Sequence, residues 1–303
     1  MATLKEVQLK IVSVKKTRQI TSAMKMVATS KLRGAQAAME AFEPYASKFA
    51  EVLGSIASNA GEEASPLLVP KEEVKKVQII LCTSDRGLCG GFNVNLIKKA
   101  ASYIESELKD KEVSFTCFGK KGHDWVKKAS MAIDDVYLDI VGGKFDFSVA
   151  SDSGQKLIDK FLDGAVDEVY LVFPEFVNMA KQKPVIKQIL PIPTLAEEEA
   201  KENSGAKEGK ADESIYLAEH ICEPSSDVLL GEMLPKDIFI QIYNALLQTS
   251  TSVNAARMTA MENATKACED MINELQTIFN KTRQAAITSE LMDIVGGAEA
   301  LKG

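Results

Sequence analysis

The carboxyl-terminal part of the sequence lacks the two residues that most often end a helix, since residues 236–295 contain neither glycine nor proline. Residues 1–33 lack them as well. At about 1.5 Å of rise per residue, the longer stretch would form a helix of about 90 Å. A compact chain of this length is only about 50 Å across. The absence therefore excludes a helix enclosed within a compact body and predicts that the two ends of the chain pair as long helices, with a domain between them.

Other absences exclude further classes of protein. No run of about eighteen apolar residues is present, so no membrane-spanning helix is expected, and the start of the chain lacks the apolar centre of a signal peptide. The cysteines form no CxxC pair and no metal-binding spacing. They are Cys82, Cys89, Cys117, Cys222 and Cys268. Reduced thiols in a cytoplasmic setting are the expected state.

Both ends carry the apolar spacing of a coiled coil, in steps of four and three residues. The carboxyl-terminal seam is predicted at Ala267, Met271, Leu275, Ile278, Thr282, Ala285, Ser289 and Met292. The amino-terminal stripe is predicted at Leu4, Val7, Ile11 and Val14, with a break at Arg18 and a continuation at Ile20, Met24 and Val27. The same spacing also fits two helices of an ordinary bundle, but the length of the run favours a long pair.

Charge is concentrated at the amino end, where residues 1–33 hold eight basic side chains against one acidic residue, Glu6. Such a helix is typical of contact with nucleic acid, anionic lipid or an acidic protein. The stretch has no aromatic residue, which argues against single-strand binding and membrane insertion. A protein that clamps nucleic acid through this basic helix is therefore kept only as a weaker hypothesis.

The middle of the sequence predicts an α/β domain over residues 74–195, with a mostly parallel sheet covered on both faces. Strands are expected at 77–83, 113–118, 136–141, 168–173 and 184–190, the last paired across a turn at 178–183; helices are expected at 93–109 and 149–162. Residues 196–214 are polar and acidic, which predicts a mobile surface insertion. The helical arms then cover residues 1–60 and 225–303.

The element most suggestive of chemistry is the loop at residues 85–91, DRGLCGG, which follows a strand and precedes a helix. A phosphate-binding loop would occupy this place, but the spacing is neither GxGxxG nor that of a P-loop. The two histidines, His123 and His220, lie in no catalytic signature. No catalytic residue, cofactor or metal site is therefore expected, and a nucleotide-binding enzyme with helical arms is kept as the alternative.

Four segments resemble one family when taken together: the gamma subunit of bacterial F-type ATP synthases. They are residues 13–28, SVKKTRQITSAMKMVA, followed by Lys31-Leu-Arg33; residues 84–93, SDRGLCGGFN; residues 256–265, ARMTAMENAT; and residues 280–298, NKTRQAAITSELMDIVGGA. The segments occur in the family's order and extend from one end of the chain to the other.

The resemblance implies a non-catalytic rotor shaft, the central stalk that couples proton flow through the membrane sector to ATP synthesis or hydrolysis. The terminal helices would form a long antiparallel coiled coil inside the hexamer of alpha and beta subunits. The Rossmann-like α/β domain would lie at the foot, beside the epsilon subunit and the c-ring. The chain would be peripheral, on the cytoplasmic face of the bacterial plasma membrane, with no nucleic-acid partner.

Matched positions carry the family's contact residues to this chain. Met24, Arg283 and Gln284 would face the loop of a beta subunit that grips the shaft, and Thr288 and Glu290 would belong to the coupling segment. Contact with the acidic lever loop of beta would come from Ser84, Asp85, Arg86 and Cys89. Docking toward epsilon and the c-ring would involve Ile221, Glu223 and Pro224.

One position departs from the family, where Ser252-Val253 replaces the usual Ser-Glu pair. A charged contact at this point of the shaft is therefore in doubt.

Overall fold

The computed structural model describes residues 3–59, 65–71, 73–143, 145–193 and 226–300. The helices are α1 (Leu4–Asn59), α2 (Phe92–Glu107), α3 (Lys120–Lys128), α4 (Phe147–Leu162) and α5 (Ser226–Ala300). The strands are β1 (Lys76–Cys82), β2 (Glu112–Phe118), β3 (Ala132–Tyr137), β4 (Glu168–Phe176) and β5 (Gln182–Leu190). The acidic stretch 196–214 and the residues Ile221, Glu223 and Pro224 lie outside the described residues.

The chain divides into two compact units, Met1–Thr29 with Arg257–Gly303 and Ser30–Ala256. We call the first the helix-pair unit and the second the sheet unit. The long helices α1 and α5 each contribute residues to both units. Among the described residues, no helix has an apolar stretch capable of crossing a bilayer.

The sheet unit has five strands in the order β3-β2-β1-β4-β5. Strands β1 to β4 are parallel, and β5 returns antiparallel to β4 through the turn at Asn178–Lys181. The central strand β1 is buried from Val77 onward and is apolar except for Gln78, whose amide donates to Thr116 Oγ1 at 2.8 Å. Such burial is expected of a strand covered on both faces. This confirms the mostly parallel α/β domain with an added antiparallel edge strand.

Adjacent residues of β1 show which helices cover the two faces. Leu81 lies against Gly122 of α3, whereas the neighbouring Cys82 thiol hydrogen-bonds to Thr249 of α5. Because successive side chains of a strand point to opposite faces, α3 and α5 cover opposite sides of the sheet. Helix α4 packs closely on α5, since a Cβ added at Gly154 would lie 2.4 Å from the ring of Phe239.

The strand predicted at 136–141 is wrong in its bounds, because β3 is Ala132–Tyr137. This edge strand contains the pair Asp134 and Asp135, and its outward side chains are exposed. A search for continuous apolar residues, which finds buried strands, therefore does not locate this edge strand. At Asp139 the backbone has φ of 58°, a left-handed conformation that lies within the predicted strand.

Burial raises the pKa of the Cys117 thiol on β2 to about 12. Burial also raises the pKa of Cys82 on β1, although its hydrogen bond with Thr249 acts in the opposite direction. Both thiols are protonated at neutral pH and pack as small apolar side chains.

Candidate functional site

The helix-pair unit is an antiparallel coiled coil, as three contacts between α1 and α5 show. Arg18 Nη1 lies 3.6 Å from Glu269 Oε1, the hydroxyls of Thr21 and Thr265 are 2.8 Å apart, and Lys25 Nζ lies 2.8 Å from Glu262 Oε1. Residue numbers rise along one helix as they fall along the other. The resemblance implied this antiparallel pairing, and the contacts confirm it.

The seam on α1 differs from the predicted stripe. Every third or fourth residue is buried or half-buried without a break, in the series Leu4, Val7, Ile11, Val14, Arg18, Thr21, Lys25 and Ala28. The predicted break at Arg18 and the continuation through Ile20 and Val27 are therefore wrong, since those two side chains are 60% and 59% exposed. Polar residues hold the seam at this point because each finds a partner on α5.

The seam on α5 is also shifted from the prediction. The inward series is Met261, Thr265, Cys268, Ile272, Leu275, Phe279 and Thr282. The predicted seam residues Met271, Ile278 and Met292 are 45%, 49% and 69% exposed. The predicted positions Leu275 and Thr282 do lie in the observed series, whereas elsewhere the inward residue is the one after the predicted position, such as Ile272 after Met271. Spacing alone does not show which of two neighbouring positions faces the partner helix.

The last turns of α5 form a region of their own. The pairing places Leu4, the first residue of α1, opposite Thr282 and its neighbours, so α5 continues past the start of α1. All side chains from Arg283 to Ala298 are exposed. This region contains four of the predicted contact residues: Arg283, Gln284, Thr288 and Glu290. It also exposes large apolar side chains at Ile287, Leu291, Met292, Ile294 and Val295.

Met24, the fifth predicted contact residue of the helix pair, is half-buried on α1. Its neighbours Met26 and Val27 are 65% and 59% exposed. The helix pair therefore carries exposed apolar side chains outside its seam. Such surfaces mark contacts with other proteins when they are contiguous.

The loop at residues 84–91, which contains the predicted contact residues Ser84, Asp85, Arg86 and Cys89, is held by hydrogen bonds to Asn93 of α2. The Asn93 side chain accepts from Ser84 N at 3.0 Å and donates to Ser84 Oγ at 2.8 Å. Ser84 Oγ also donates to the Arg86 carbonyl at 2.7 Å, and Asn93 Nδ2 lies 3.2 Å from Cys89 Sγ. Ser84 and Cys89 are buried, whereas Arg86 is exposed.

The loop is seated on the start of α3. Asp85 Oδ1 accepts from Lys120 N at 3.1 Å, and the Ser84 carbonyl accepts from Lys121 N at 3.1 Å. The close approach depends on Gly119, which has φ of 96° and where a Cβ would lie 2.2 Å from the Thr83 carbonyl oxygen. The loop is therefore a fixed surface element.

Val253 stands where the family usually has glutamate, and its surroundings fit an apolar side chain. Val253 is fully buried in the core of the sheet unit. It lies 4.0 Å from the place where a Cβ would stand on Gly142, whose carbonyl accepts from Lys31 Nζ at 3.1 Å. Valine at this position packs the interior, where an ionised carboxylate would require a charged partner.

Sequence reasoning missed the interhelical pairs of Arg18, Thr21 and Lys25, and it also missed the exposed Leu88. The two ion pairs, of Arg18 and Lys25, could have been found by matching basic residues of α1 to acidic residues of α5 at a constant sum of residue numbers. The hydroxyl pair of Thr21 could not be found in this way. Leu88 gave no sequence signal, because its left-handed backbone is visible only in the structure.

A family model described as ATP synthase matches residues 3–301. The chain is 77% identical over 301 residues to an ATP synthase gamma chain of Desulforapulum autotrophicum, covering 99% of this chain and 100% of the relative. It is 62% identical over 305 residues to one of Desulfosudis oleivorans, covering both chains fully. It is 50% identical over 304 residues to one of Nitratidesulfovibrio vulgaris, again with full coverage.

Solved structures share the fold at low identity. In the rotor of Euglena gracilis mitochondrial ATP synthase, the match covers 94% of this chain and 98% of the other, with a TM-score of 0.62 at 21% identity. A chain of the Tetrahymena thermophila mitochondrial central stalk and c-ring matches with a TM-score of 0.55 at 22% identity, covering 81% of this chain and 99% of the other.

Proposed function

The chain belongs to the family of ATP synthase gamma chains, and we propose that it is the rotor shaft of an F-type ATP synthase. It couples proton flow through the membrane sector to ATP synthesis or hydrolysis in the hexamer of alpha and beta subunits. The catalytic sites lie in the beta subunits. The chain itself transmits torque to them and regulates their ATPase activity. The antiparallel helix pair, with apolar side chains exposed outside its seam, is the observation that carries this proposal.

An off-axis rod can direct catalysis by contact alone. A single asymmetric shaft inside a threefold ring presents a different surface to each of three identical beta subunits. Each rotor angle then favours a different conformation at each site, which is a shift of populations driven by differential contact. A continuous helix pair suits this role because it transmits force without a joint.

The contact residues fall into two groups in this proposal. Met24, Arg283 and Gln284 face the gripping loop of a beta subunit, and Thr288 and Glu290 extend the same contact along the exposed end of α5. Arg283 offers a planar guanidinium that can hold a carboxylate through two hydrogen bonds, which lysine cannot do. The exposure of these α5 residues supports their availability to a partner.

A second contact is proposed at the loop. Ser84 and Cys89 fix its shape from inside, Asp85 fastens it to α3, and Arg86 faces the acidic lever loop of beta. Ile221, Glu223 and Pro224 are proposed to dock toward epsilon and the c-ring. With these partners, the chain is peripheral on the cytoplasmic face of the bacterial plasma membrane.

The function is tested by reconstitution with alpha and beta subunits of the same organism. We expect the chain to co-purify with the hexamer in a ratio of one chain to three beta subunits and to make ATP hydrolysis cooperative. We also expect the isolated chain to hydrolyse no ATP. A wild-type chain that fails to associate with the hexamer would overturn the proposal.

The site assignment is tested by Gln284→Leu, with Gln276→Leu as the matched control on the same exposed helix. Gln284→Leu should reduce hydrolysis by the complex about tenfold, as expected for losing a polar contact made in the working state. The thermal unfolding of the isolated chain should not change. Equal losses for both variants would show that the contact is not specific to Gln284.

A second pair of substitutions tests whether Met24 on α1 contacts the beta subunit. Met24→Lys should impair coupling, whereas Met179→Lys should not, because Met179 is exposed at the turn between β4 and β5. Proton-driven synthesis by membranes containing Met24→Lys should fall while ATP binding persists. Unchanged synthesis would remove Met24 from the proposed contact.

A further inference from the structure

A short stretch of α5 is enclosed on every side. Residues 249–255 follow one another along the helix, and none of them is more than 4% exposed. Seven residues make about two turns of an α-helix, so side chains on all its faces are covered. In the helix-pair unit, by contrast, α5 buries one seam only. The enclosed stretch lies wholly within the sheet unit.

The residues of the enclosed stretch, TSTSVNA, have short side chains and are mostly polar. Their polar groups donate to carbonyls of the same helix: Thr249 to Ala245 at 2.6 Å, Thr251 to Leu247 at 2.9 Å and Asn254 to Ser250 at 2.9 Å. Such residues are neutral or unfavourable in the interior of a helix. They are suited to enclosure, because short side chains let the surrounding elements approach the helix closely.

Two strands hold the first turn of the stretch. The Cys82 thiol, at the end of β1, hydrogen-bonds to Thr249. The N–H group of Phe176, at the end of β4, donates to Oε1 of Gln248, the residue directly before the stretch, at 3.3 Å. The carboxyl ends of two neighbouring strands are thus bonded to the same turn of α5.

The loop after β3 and helix α1 complete the enclosure. The loop reaches Val253, whose Cγ1 is 4.0 Å from the place of a Cβ on Gly142. Lys31 of α1 donates to the Gly142 carbonyl at 3.1 Å and so joins α1 to the loop. Further along α1, the ring of Phe42 lies 4.8 Å from that of Tyr243 on α5.

We propose that this enclosure is the place where the sheet unit holds α5 and turns it. We call it the collar: residues 249–255 with the ends of β1 and β4, the loop after β3 and the part of α1 around Lys31. A helix packed along one seam can roll about that contact, whereas a helix packed on all sides moves with the body around it, because a close-packed interior transmits strain.

The collar gives torque a path into the shaft, since α5 continues from the sheet unit into the helix-pair unit. Thr249 and Val253 are then positioning residues, which hold α5 and contact no substrate. This inference rests on the proposed function, because only a rotor has such a load to transmit.

The first test measures amide hydrogen exchange in the isolated wild-type chain, corrected for intrinsic rates. Amides of residues 249–255 should exchange at least about tenfold more slowly than those of residues 269–275 in the helix-pair unit, because the enclosed stretch opens only when the sheet unit unfolds. Equal rates would show that α5 is held no more firmly in the collar than along the seam, and the inference would fail.

The second test compares two substitutions of the same size. Val253→Ala removes two methyl groups inside the collar. Val172→Ala is the matched control, since Val172 is equally buried but pairs with Leu81, on the sheet face that α3 covers. Both should lower the unfolding midpoint. In the complete synthase, Val253→Ala should lose more proton-driven ATP synthesis than Val172→Ala. ATP hydrolysis by the detached hexamer with either variant should persist, because no load then passes through the sheet unit.

A cross-link supplies the rescue. In Thr249→Cys, oxidation can join position 249 to Cys82, whose thiol already hydrogen-bonds to the Thr249 side chain. When this change is combined with Val253→Ala, the oxidised chain should regain proton-driven synthesis and the reduced chain should not. Mass spectrometry of the oxidised chain verifies the bond.

The outcomes separate the inference from the proposed function. If the wild-type chain supports no coupled synthesis, the proposed function fails. If wild type couples and the two valine variants lose synthesis equally, the inference alone fails. If the cross-link at position 249 abolishes synthesis, α5 has to move within the sheet unit during rotation, and the inference is overturned.

Discussion

In the sheet unit, Ile79, Ile80 and Leu81 of the central strand are completely buried, whereas in the helix-pair unit Ile272 and Leu275 retain 6% and 8% exposure. The sheet has helices on both faces, so its interior is closed on all sides. Each helix of the pair buries one seam only, and part of that seam is polar. The first unit is thus stabilised by a continuous core, and the second by a narrow contact that leaves apolar side chains outside.

The comparison suggests that the two units are built for different purposes. A core that is closed on both faces of the sheet gives a rigid body that is stable by itself. A narrow seam leaves most of each helix surface for other proteins, at the expense of stability in isolation. Exposed apolar side chains such as Ile20, Met26 and Ile294 are unfavourable in water when the chain is isolated, but they become favourable when a partner protein covers them.

The largest expected effect comes from replacing one buried isoleucine by alanine in each unit and comparing the losses of stability. Ile79→Ala should lower the free energy of unfolding by about 4 kcal/mol, and Ile272→Ala by about 2 kcal/mol, because only the first leaves a closed cavity. The single tryptophan, Trp125, packs against Phe115 in the sheet unit, so its fluorescence reports that unit. Far-UV circular dichroism reports the helices.

Urea unfolding should therefore show a large shift of the fluorescence transition for Ile79→Ala and little shift for Ile272→Ala. Equal losses at the two positions would show that the helix pair is packed as tightly as the sheet, which would contradict the comparison.

The same contrast explains what the sequence could predict. The fold of the sheet unit was largely predictable, because strongly apolar stretches such as residues 77–82, which contain one polar side chain, Gln78, are typical of a strand buried on both faces. The seam was not, because pattern reasoning assigns the most apolar residues to it. Here Arg18 and Thr21 enter the seam while Ile20 remains outside. The information needed is the identity of the opposing residues, which spacing along one helix does not contain.

The position of the loop at residues 84–91 was predictable from the sequence, whereas the orientation of its side chains was not. A turn after a central strand was evident from its glycines. The inward position of Ser84 and Cys89, and the outward position of Leu88, depend on hydrogen bonds with Asn93 in the next helix. Such contacts depend on the three-dimensional path of the chain.

A second prediction concerns Asp167, which immediately precedes β4, and the stability of the sheet unit in acid. Burial alone would raise the pKa of Asp167, but bonds from the N–H groups of Lys76 and Lys75 and from the Lys71 ammonium outweigh it, so its pKa is lowered. A carboxylate with a lowered pKa stabilises the fold above its unfolded pKa of about 4, and this contribution disappears as pH falls through the folded value.

Asp167→Asn should therefore lower the free energy of unfolding by about 1–2 kcal/mol at pH 7 and make little difference near pH 2. Urea unfolding followed by Trp125 fluorescence across this range measures the convergence. A difference between variant and wild type that is constant with pH would show that the charge of Asp167 is not its source.

A third prediction concerns the hydroxyl pair of the seam. Thr265 Oγ1 lies 2.7 Å from the Met261 carbonyl, and Thr21 Oγ1 lies 3.0 Å from that of Arg18. Thr21→Val should cost about 1 kcal/mol by removing one partner, while the double change with Thr265→Val should cost less than the sum of the single changes. Helix unfolding by circular dichroism measures the cycle. Strict additivity would mean that the two hydroxyls do not interact.

The smallest expected effect is at the rim of the seam, where Lys25 and Glu262 remain 38% and 55% exposed. An exposed pair of this kind contributes about 0.5 kcal/mol or less, because water and salt screen it. A double-mutant cycle with Lys25→Met and Glu262→Gln should give a coupling of that size in dilute buffer and none in about 1 M salt, where the screening length is about 3 Å. Since the sheet unit contains the buried core, the fluorescence transition of Trp125 should not move in any of these variants. A coupling that persisted at high salt would show that the pair is shielded from solvent, and the seam would then be closer to the closed core of the sheet than its exposure indicates.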